Sequence, residues 1–161
     1  MPELIVMSRS YNDDMALETM VRYAGKCRLL GGYAVNPANA PEEMRLVKAL
    51  WSKEGGRQVR HFILSFAQRE RIGPDAAMRL GFEVCKYYGQ YQSVYGIHTD
   101  TDHLHIHWAV NTVSFLDGRM YTGGFEDWYR LRDYIQSLLP DWYVRLTIKK
   151  GVDISPAFGV Q

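Results

Sequence analysis

Cysteine is scarce in this chain of 161 residues, with only Cys27 and Cys85 present. Two thiols so far apart in sequence cannot frame a small disulfide-stapled fold or supply a Cys-x-x-Cys motif. An excess of charge of one sign is also lacking. The 19 Lys and Arg against 18 Asp and Glu leave a net charge of +1, so no global field marks a polyanionic partner, and composition alone does not point to nucleic acid. A weak tilt exists, since residues 1–71 hold 11 bases and 8 acids, which makes the N-terminal part slightly basic. No apolar run approaches the roughly 18 residues of a membrane span, and the start MPELIVMSRS lacks a basic stretch followed by a long apolar one. The expectation is an unexported, cytoplasmic protein without membrane contact, its two cysteines being plain buried thiols.

What the chain does have is a steady apolar rhythm. At 47% hydrophobic and 13% aromatic, it suits one domain over residues 1–161, with a loose tail from about 150. Leu4 to Met7 reads as a short strand, and Asn12, Asp13 and Asp14 cap a helix that carries Met15, Met20, Val21 and Ala24. A strand is expected at Tyr33–Val35. A helix opening at Pro41 should turn Met44, Val47, Ala49, Leu50 and Trp51 inward. Val59 to Phe66 reads as a strand, and Pro74 opens a helix with Ala77, Leu80, Val84, Cys85 and Tyr88 on one face. Strands follow near Val94–Ile97 and Leu104–Val113, then a helix over Glu126–Leu139 closed by Pro140, and a last strand over Trp142–Ile148. Too few residues join the strands near 97 and 104 for a parallel crossover, so part of the sheet must be antiparallel. The expected class is α+β.

Four of the five histidines, His98, His103, His105 and His107, fall within ten residues. Side chains alternate faces along a strand, so His103, His105 and His107 project one way, and Leu104, Ile106, Trp108 and Val110 the other. Imidazoles two residues apart can reach one ion at about 2.0 to 2.2 Å, with His98 as a third from the far side of the turn. Three neutral nitrogens leave coordination positions open, as a catalytic rather than a structural metal requires. A solvated polar face is the plainer reading of any single histidine, but the repeated alternation favours a metal. Asp100 and Asp102 lie in the turn, where a carboxylate can accept the second N–H of a ligand imidazole or simply stabilise the turn. Oxygenase, hydrolase and nuclease chemistry all stay open on these residues alone. A cupin would want a Glu soon after the pair, where Asn111, Thr112 and Val113 stand instead.

The stretch H-x-D-T-D-x-L-H-I-H-x-A-V-N, from His98 to Asn111, resembles the third motif of relaxases. These are mobilisation nucleases of the HUH endonuclease superfamily, and the likeness is to the MobA and IncP (MOBP-like) type in particular. The first motif of that family places a catalytic tyrosine in an N-terminal helix after apolar residues and a base, and Met20-Val21-Arg22-Tyr23 is similar to it. The second is an apolar strand ending in Ser-Phe, matched by His61 to Phe66. The likeness covers most of residues 1 to about 140.

The resemblance implies an α+β fold with a largely antiparallel central sheet flanked by helices. It also implies nicking of single-stranded DNA at an origin of transfer, for conjugation or mobilisation of a plasmid or integrative element. Tyr23 would attack the phosphodiester and form a 5′-phosphotyrosyl link, with Asp100 in the catalytic group. His98, His105 and His107 would hold a divalent metal, Mn2+ or Mg2+ foremost and Zn2+ among the others. His103, Asp102 and Asn111 would stand behind these ligands or serve as spares. Ser65, Arg22 and Lys26 would contact DNA. Read from the residues themselves, Arg9, Arg22, Lys26, Arg28, Arg57 and Arg60 can supply a local phosphate track, although scattered surface bases are the commoner explanation. Relaxosome accessory proteins and a coupling protein would be the partners. His103 departs from the family, which often has Asn there. Two rivals carry different signatures: a rolling-circle initiator or transposase would use a tyrosine after the histidines, Tyr129 or Tyr134, and a non-cleaving accessory protein would use none. Without the family, Tyr23 cannot be singled out from Tyr11, Tyr33 or Tyr87, since an aromatic residue on an amphipathic helix usually packs.

Overall fold

The computed structural model describes residues 1–7, 29–70, 72–99 and 103–149. Within them six strands form one sheet: β1 (Glu3–Met7), β2 (Leu29–Tyr33), β3 (Val59–Phe66), β4 (Ser93–His98), β5 (Leu104–Asn111) and β6 (Arg145–Lys149). Their spatial order is β2-β4-β5-β3-β1-β6. Every neighbouring pair is antiparallel except β1 with β6 at one edge. The α+β class and the antiparallel pairing of the strands near 97 and 104 are thus as expected.

The helices are α1 (Ala40–Leu50), α2 (Pro74–Cys85) and α3 (Phe125–Leu138). Pro41 and Pro74 pre-set the first turns of α1 and α2, and each helix carries a carboxylate in its first turn against the N-terminal dipole. Helix α3 stops at Leu138, two residues ahead of Pro140, which cannot continue it.

One sheet face is the core. Phe62, Leu64, Ile106, Trp108, Tyr95 and Ile97 point to it from three adjacent strands and are buried under α2 and α3. The Trp108 indole N–H donates to the Gly81 carbonyl of α2 at 2.9 Å, and the Phe62 ring stacks on Trp108 with centroids 4.9 Å apart. Arg60 lies on this side too. Its guanidinium pairs with Asp127 of α3 at 2.8 Å, covers the Trp128 ring at 3.6 Å and donates to the Gly123 carbonyl at 3.2 Å. Arg57 donates to the same carbonyl at 3.2 Å. Arg60, 4% exposed, is thus committed to the fold rather than to the expected phosphate track, while Arg57 is half-buried.

Two further sequence expectations need correction. The ladder at β2 uses Leu29–Tyr33 rather than Tyr33–Val35, because Ala34 takes a left-handed φ of 57° that ends the strand. The inward stripe of α1 is Ala40, Met44 and Lys48, while Leu50 and Trp51 are 72% and 41% exposed. A phase taken from apolar residues alone rotates this helix, since a lysine holds one of its interior positions. Helix α1 reaches the face opposite α2 and α3, at the Asn111 end of β5, where the Asn111 side-chain amide donates to the Met44 carbonyl at 3.2 Å.

Cys85 is buried as expected, and burial pushes its thiol up to about 12, which leaves it inert. Cys27, the predicted helix over residues 12–25 and the tail from 150 lie outside the described residues. No described helix is long and apolar enough to cross a membrane.

Candidate metal centre

The histidines lie on the sheet face away from α2 and α3, where strand register assembles them. His98 of β4 pairs directly with His105 of β5, and His107 stands opposite Gly96 of β4 and Ile63 of β3. Because Gly96 has no side chain, the His98 ring can lean across onto His107. The two rings stack with centroids 4.3 Å apart and planes 28° from parallel. His105 and His107 meet edge-on at 6.0 Å, and the His103 ring lies parallel to that of His105 at 6.3 Å. Exposure rises along the row, from a buried His107 through half-buried His105 and His98 to an exposed His103.

The gathering brings imidazoles together without closing them on a common point. An ion must lie in the plane of each imidazole that binds it, and the near-parallel stack of His98 on His107 does not give the two rings a common in-plane position. Burial, aided by the neighbouring charges of His98, His61 and His105, holds His107 well below the usual imidazole range. It is therefore neutral and keeps a lone pair to offer, as a ligand must. Among the described residues no three His, Cys, Asp or Glu side chains close into a ready cage, so the row is gathered but open.

Ser65 of β3 is the Cα partner of His105 and half-buried, which places it beside the histidines. Asn111 does not stand behind the ligands. It lies four residues beyond His107, roughly 13 Å along the strand, fully buried, with its amide given to the Met44 carbonyl and to Gln92 Oε1 at 2.9 Å. Its task is to clamp α1 to the sheet. Tyr23, Tyr11, Asp100, Asp102, Arg9, Arg22, Lys26 and Arg28 lie outside the described residues.

Tyr129 and Tyr134, on which the rival reading depends, both sit on α3, in the layer that packs on the core face. The Tyr134 hydroxyl donates to the Glu83 carbonyl at 3.0 Å and Tyr129 is 56% exposed. The sheet stands between that layer and the histidines.

Sequence reasoning assigns His61 no role of its own. The alternation of His61-Phe62-Ile63-Leu64-Ser65 puts it on the same face as Ser65, and the structure buries it there, paired with Ala109 two positions past His107. Burial pulls its imidazole down to about 3. The signal lay in the parity of the strand.

The geometry defines an α+β sheet protein with an imidazole-lined face apart from its core. The family described as "Relaxase: MobA/VirD2-like, nuclease domain" matches residues 13–141, and the chain belongs to it. Among curated proteins, it is 34% identical to "Protein rlx" of Staphylococcus aureus over 83 residues, which are 51% of this chain and 26% of that protein. It is 35% identical to "Protein TraI" of Escherichia coli over 60 residues, 36% of this chain and 8% of that one. The matched part thus spans about a quarter of the first relative and less than a tenth of the second. A solved chain from "Molecular Basis of Vancomycin Resistance Transfer in Staphylococcus aureus" aligns over 75% of each chain, with a TM-score of 0.48 and 12% identity.

Proposed function

We propose that the chain is the nicking domain of a conjugative or mobilisation relaxase of the MobA and IncP type, acting on single-stranded DNA at an origin of transfer. The observation that supports this reading most is the gathering of His98, His105 and His107 on one sheet face, in a chain of the relaxase nuclease family. These three imidazoles would hold a divalent ion, Mn2+ or Mg2+ foremost. When bound, the ion would supply positive charge against the phosphate as negative charge builds there.

The chain's own residues do the rest. The Tyr23 hydroxyl attacks the scissile phosphorus. A tyrosyl O–P bond forms, the bond to the 3′ oxygen breaks, and the 3′-hydroxyl leaves with the proton that Tyr23 gives up. An unperturbed tyrosine, with a pKa near 10, is mostly protonated at neutral pH, so the reaction depends on a site that favours loss of that proton. Asp100 would be the carboxylate of the catalytic group, suited by its chemistry to accept the outer ring N–H of a ligand histidine. Ser65, opposite His105, contacts the DNA backbone beside the scissile phosphate, with Arg22 and Lys26 along the strand. The phosphotyrosyl bond keeps much of the energy of the bond it replaces, so the step can reverse and rejoin the strand. That suits transfer of DNA rather than degradation, in concert with relaxosome accessory proteins and a coupling protein.

The test is incubation with an origin-bearing single-stranded oligonucleotide and Mn2+ or Mg2+, followed by denaturing electrophoresis and mass spectrometry of the tyrosyl peptide. The expected result is a covalent adduct, lost in Tyr23→Phe and in His105→Ala. Cleavage that survives Tyr23→Phe removes Tyr23 from the mechanism. Tight binding with no adduct under any metal turns the assignment to a non-cleaving accessory protein.

A further inference from the structure

Helix α1 turns Ala40, Met44 and Lys48 inward at helical spacing, so an ammonium occupies a place where the stripe calls for an apolar group. Lys48 shows 2% of its surface. Its Nζ donates to Thr112 Oγ1 at 3.1 Å, and that hydroxyl donates onward to the Arg57 carbonyl at 2.5 Å. Two of its three N–H groups are left for another acceptor. Among the described residues no carboxylate lies within ion-pair distance of it. Burial alone, with no charge to offset it, pulls the ammonium down to about 8. Buried charges are normally paired because desolvation costs several kcal/mol per ion, and here the partner in the fold is a neutral hydroxyl.

A cavity of about 260 Å³ lined by Arg45, Lys48, Glu54 and Gln58 lies at this position. Gln58 is fixed by donating its side-chain amide to the Glu54 and Gly56 carbonyls at 2.8 and 3.0 Å, which leaves its Oε1 as an acceptor. The lining carries two cations against one carboxylate. A single positive charge, with donors on Lys48 and Arg45, complements a singly charged tetrahedral oxyanion.

We propose that this cavity is a phosphate-binding site. Its phosphate is a phosphodiester of the DNA backbone or free inorganic phosphate, and the first source rests on the relaxase reading above while the second does not. The site is separate from the histidines. Thr112 stands just past the end of β5, five residues beyond His107, and Asn111 before it is already roughly 13 Å from His107 along the strand. A DNA strand reaching both would place this phosphate several nucleotides from the scissile one.

The experiment uses the full chain with Lys48→Met and Arg45→Ala. Met is apolar and of similar length, so the first variant suits the inward stripe of α1, and a urea melt checks its fold; the second lies on the exposed surface of the helix. In one arm, thermal melting is followed as inorganic phosphate replaces chloride at matched ionic strength. The wild type should show a saturable rise in Tm that both variants lose. In the other arm, the affinity for a single-stranded oligonucleotide is measured across salt concentrations. Loss of one phosphate contact should weaken binding about fivefold and reduce the salt slope by about one. A change in the DNA arm identifies the backbone as the source, and a change confined to the first arm identifies free phosphate. If the variants match the wild type in both arms, the proposal is overturned. A protein that does not bind DNA at all would defeat the relaxase reading, and the phosphate arm would still decide this one. Should Lys48→Met fail to fold, Arg45→Ala carries both readouts.

Discussion

His61 and His107 share a sheet face with His98 and His105, and burial pulls the imidazoles of the first two down. An unfolded His61 would titrate near 6.5 and the folded one only at about 3. Between those values the unfolded chain binds the extra proton, so stability rises with pH and is lost as pH falls from about 6.5 toward 3. One such group contributes a slope of up to about 1.4 kcal/mol per pH unit within that window. We expect urea midpoints of the wild type to drop on acidification below pH 6.5, and those of His61→Leu to drop less steeply. Parallel pH profiles for the two proteins would show that His61 is not the group responsible. At this scale the sequence is readable wherever one strand suffices. The alternation His105-Ile106-His107 is enough by itself to place two imidazoles on one face. The role of Asn111 is not readable in this way, because its partners, Met44 and Gln92, stand 67 and 19 residues away, and no local pattern encodes such a bond.

The elements fit through close approaches that leave no room for a methyl group. A Cβ on Gly81 of α2 would come within 2.5 Å of the buried Tyr95 ring, and one on Gly31 of β2 within 2.2 Å of the same ring. The two glycines make the slot in which Tyr95 lies between α2 and the sheet. Overpacking of this kind costs about 1 to 3 kcal/mol. Gly81→Ala should therefore lower the stability measured by chemical denaturation by that amount. Gly81→Ala combined with Tyr95→Leu should cost less than the sum of the single changes, and strict additivity would show that the ring is not the obstacle. The helices are legible from Pro41, Pro74 and Pro140, which punctuate the chain whatever surrounds them. The phase of α1 is not legible, because Lys48 faces inward for its Thr112 partner rather than for its hydropathy.

For the whole molecule, the sheet order carries the argument. Strands β3 and β5 pair along their full lengths at the centre, while β1, first in the chain, closes one side by pairing in parallel with β6. A core shared by α2, α3 and the Phe62–Trp108 stack gives the described parts one buried interior. Thermal unfolding should accordingly be a single transition, with calorimetric and van't Hoff enthalpies in agreement. Two resolved transitions would mean that the edge strands melt apart from the centre. The antiparallel hairpin of β4 and β5 follows from its short connection alone. The β1–β6 pairing does not, since partners some 140 residues apart leave no trace in local periodicity.

Strand β3 serves two masters. Its odd positions, His61, Ile63 and Ser65, look toward the histidine row, and its even ones, Arg60, Phe62 and Leu64, hold the interior and Asp127. Because its side chains alternate strictly, gaining or losing one residue within Val59–Phe66 would exchange the two sets, turning aromatic rings out to the chemistry and imidazoles into oil. Length changes in this fold should therefore accumulate in the connections on either side, around residues 51–57 and 67–73, while the strand itself drifts only by substitution.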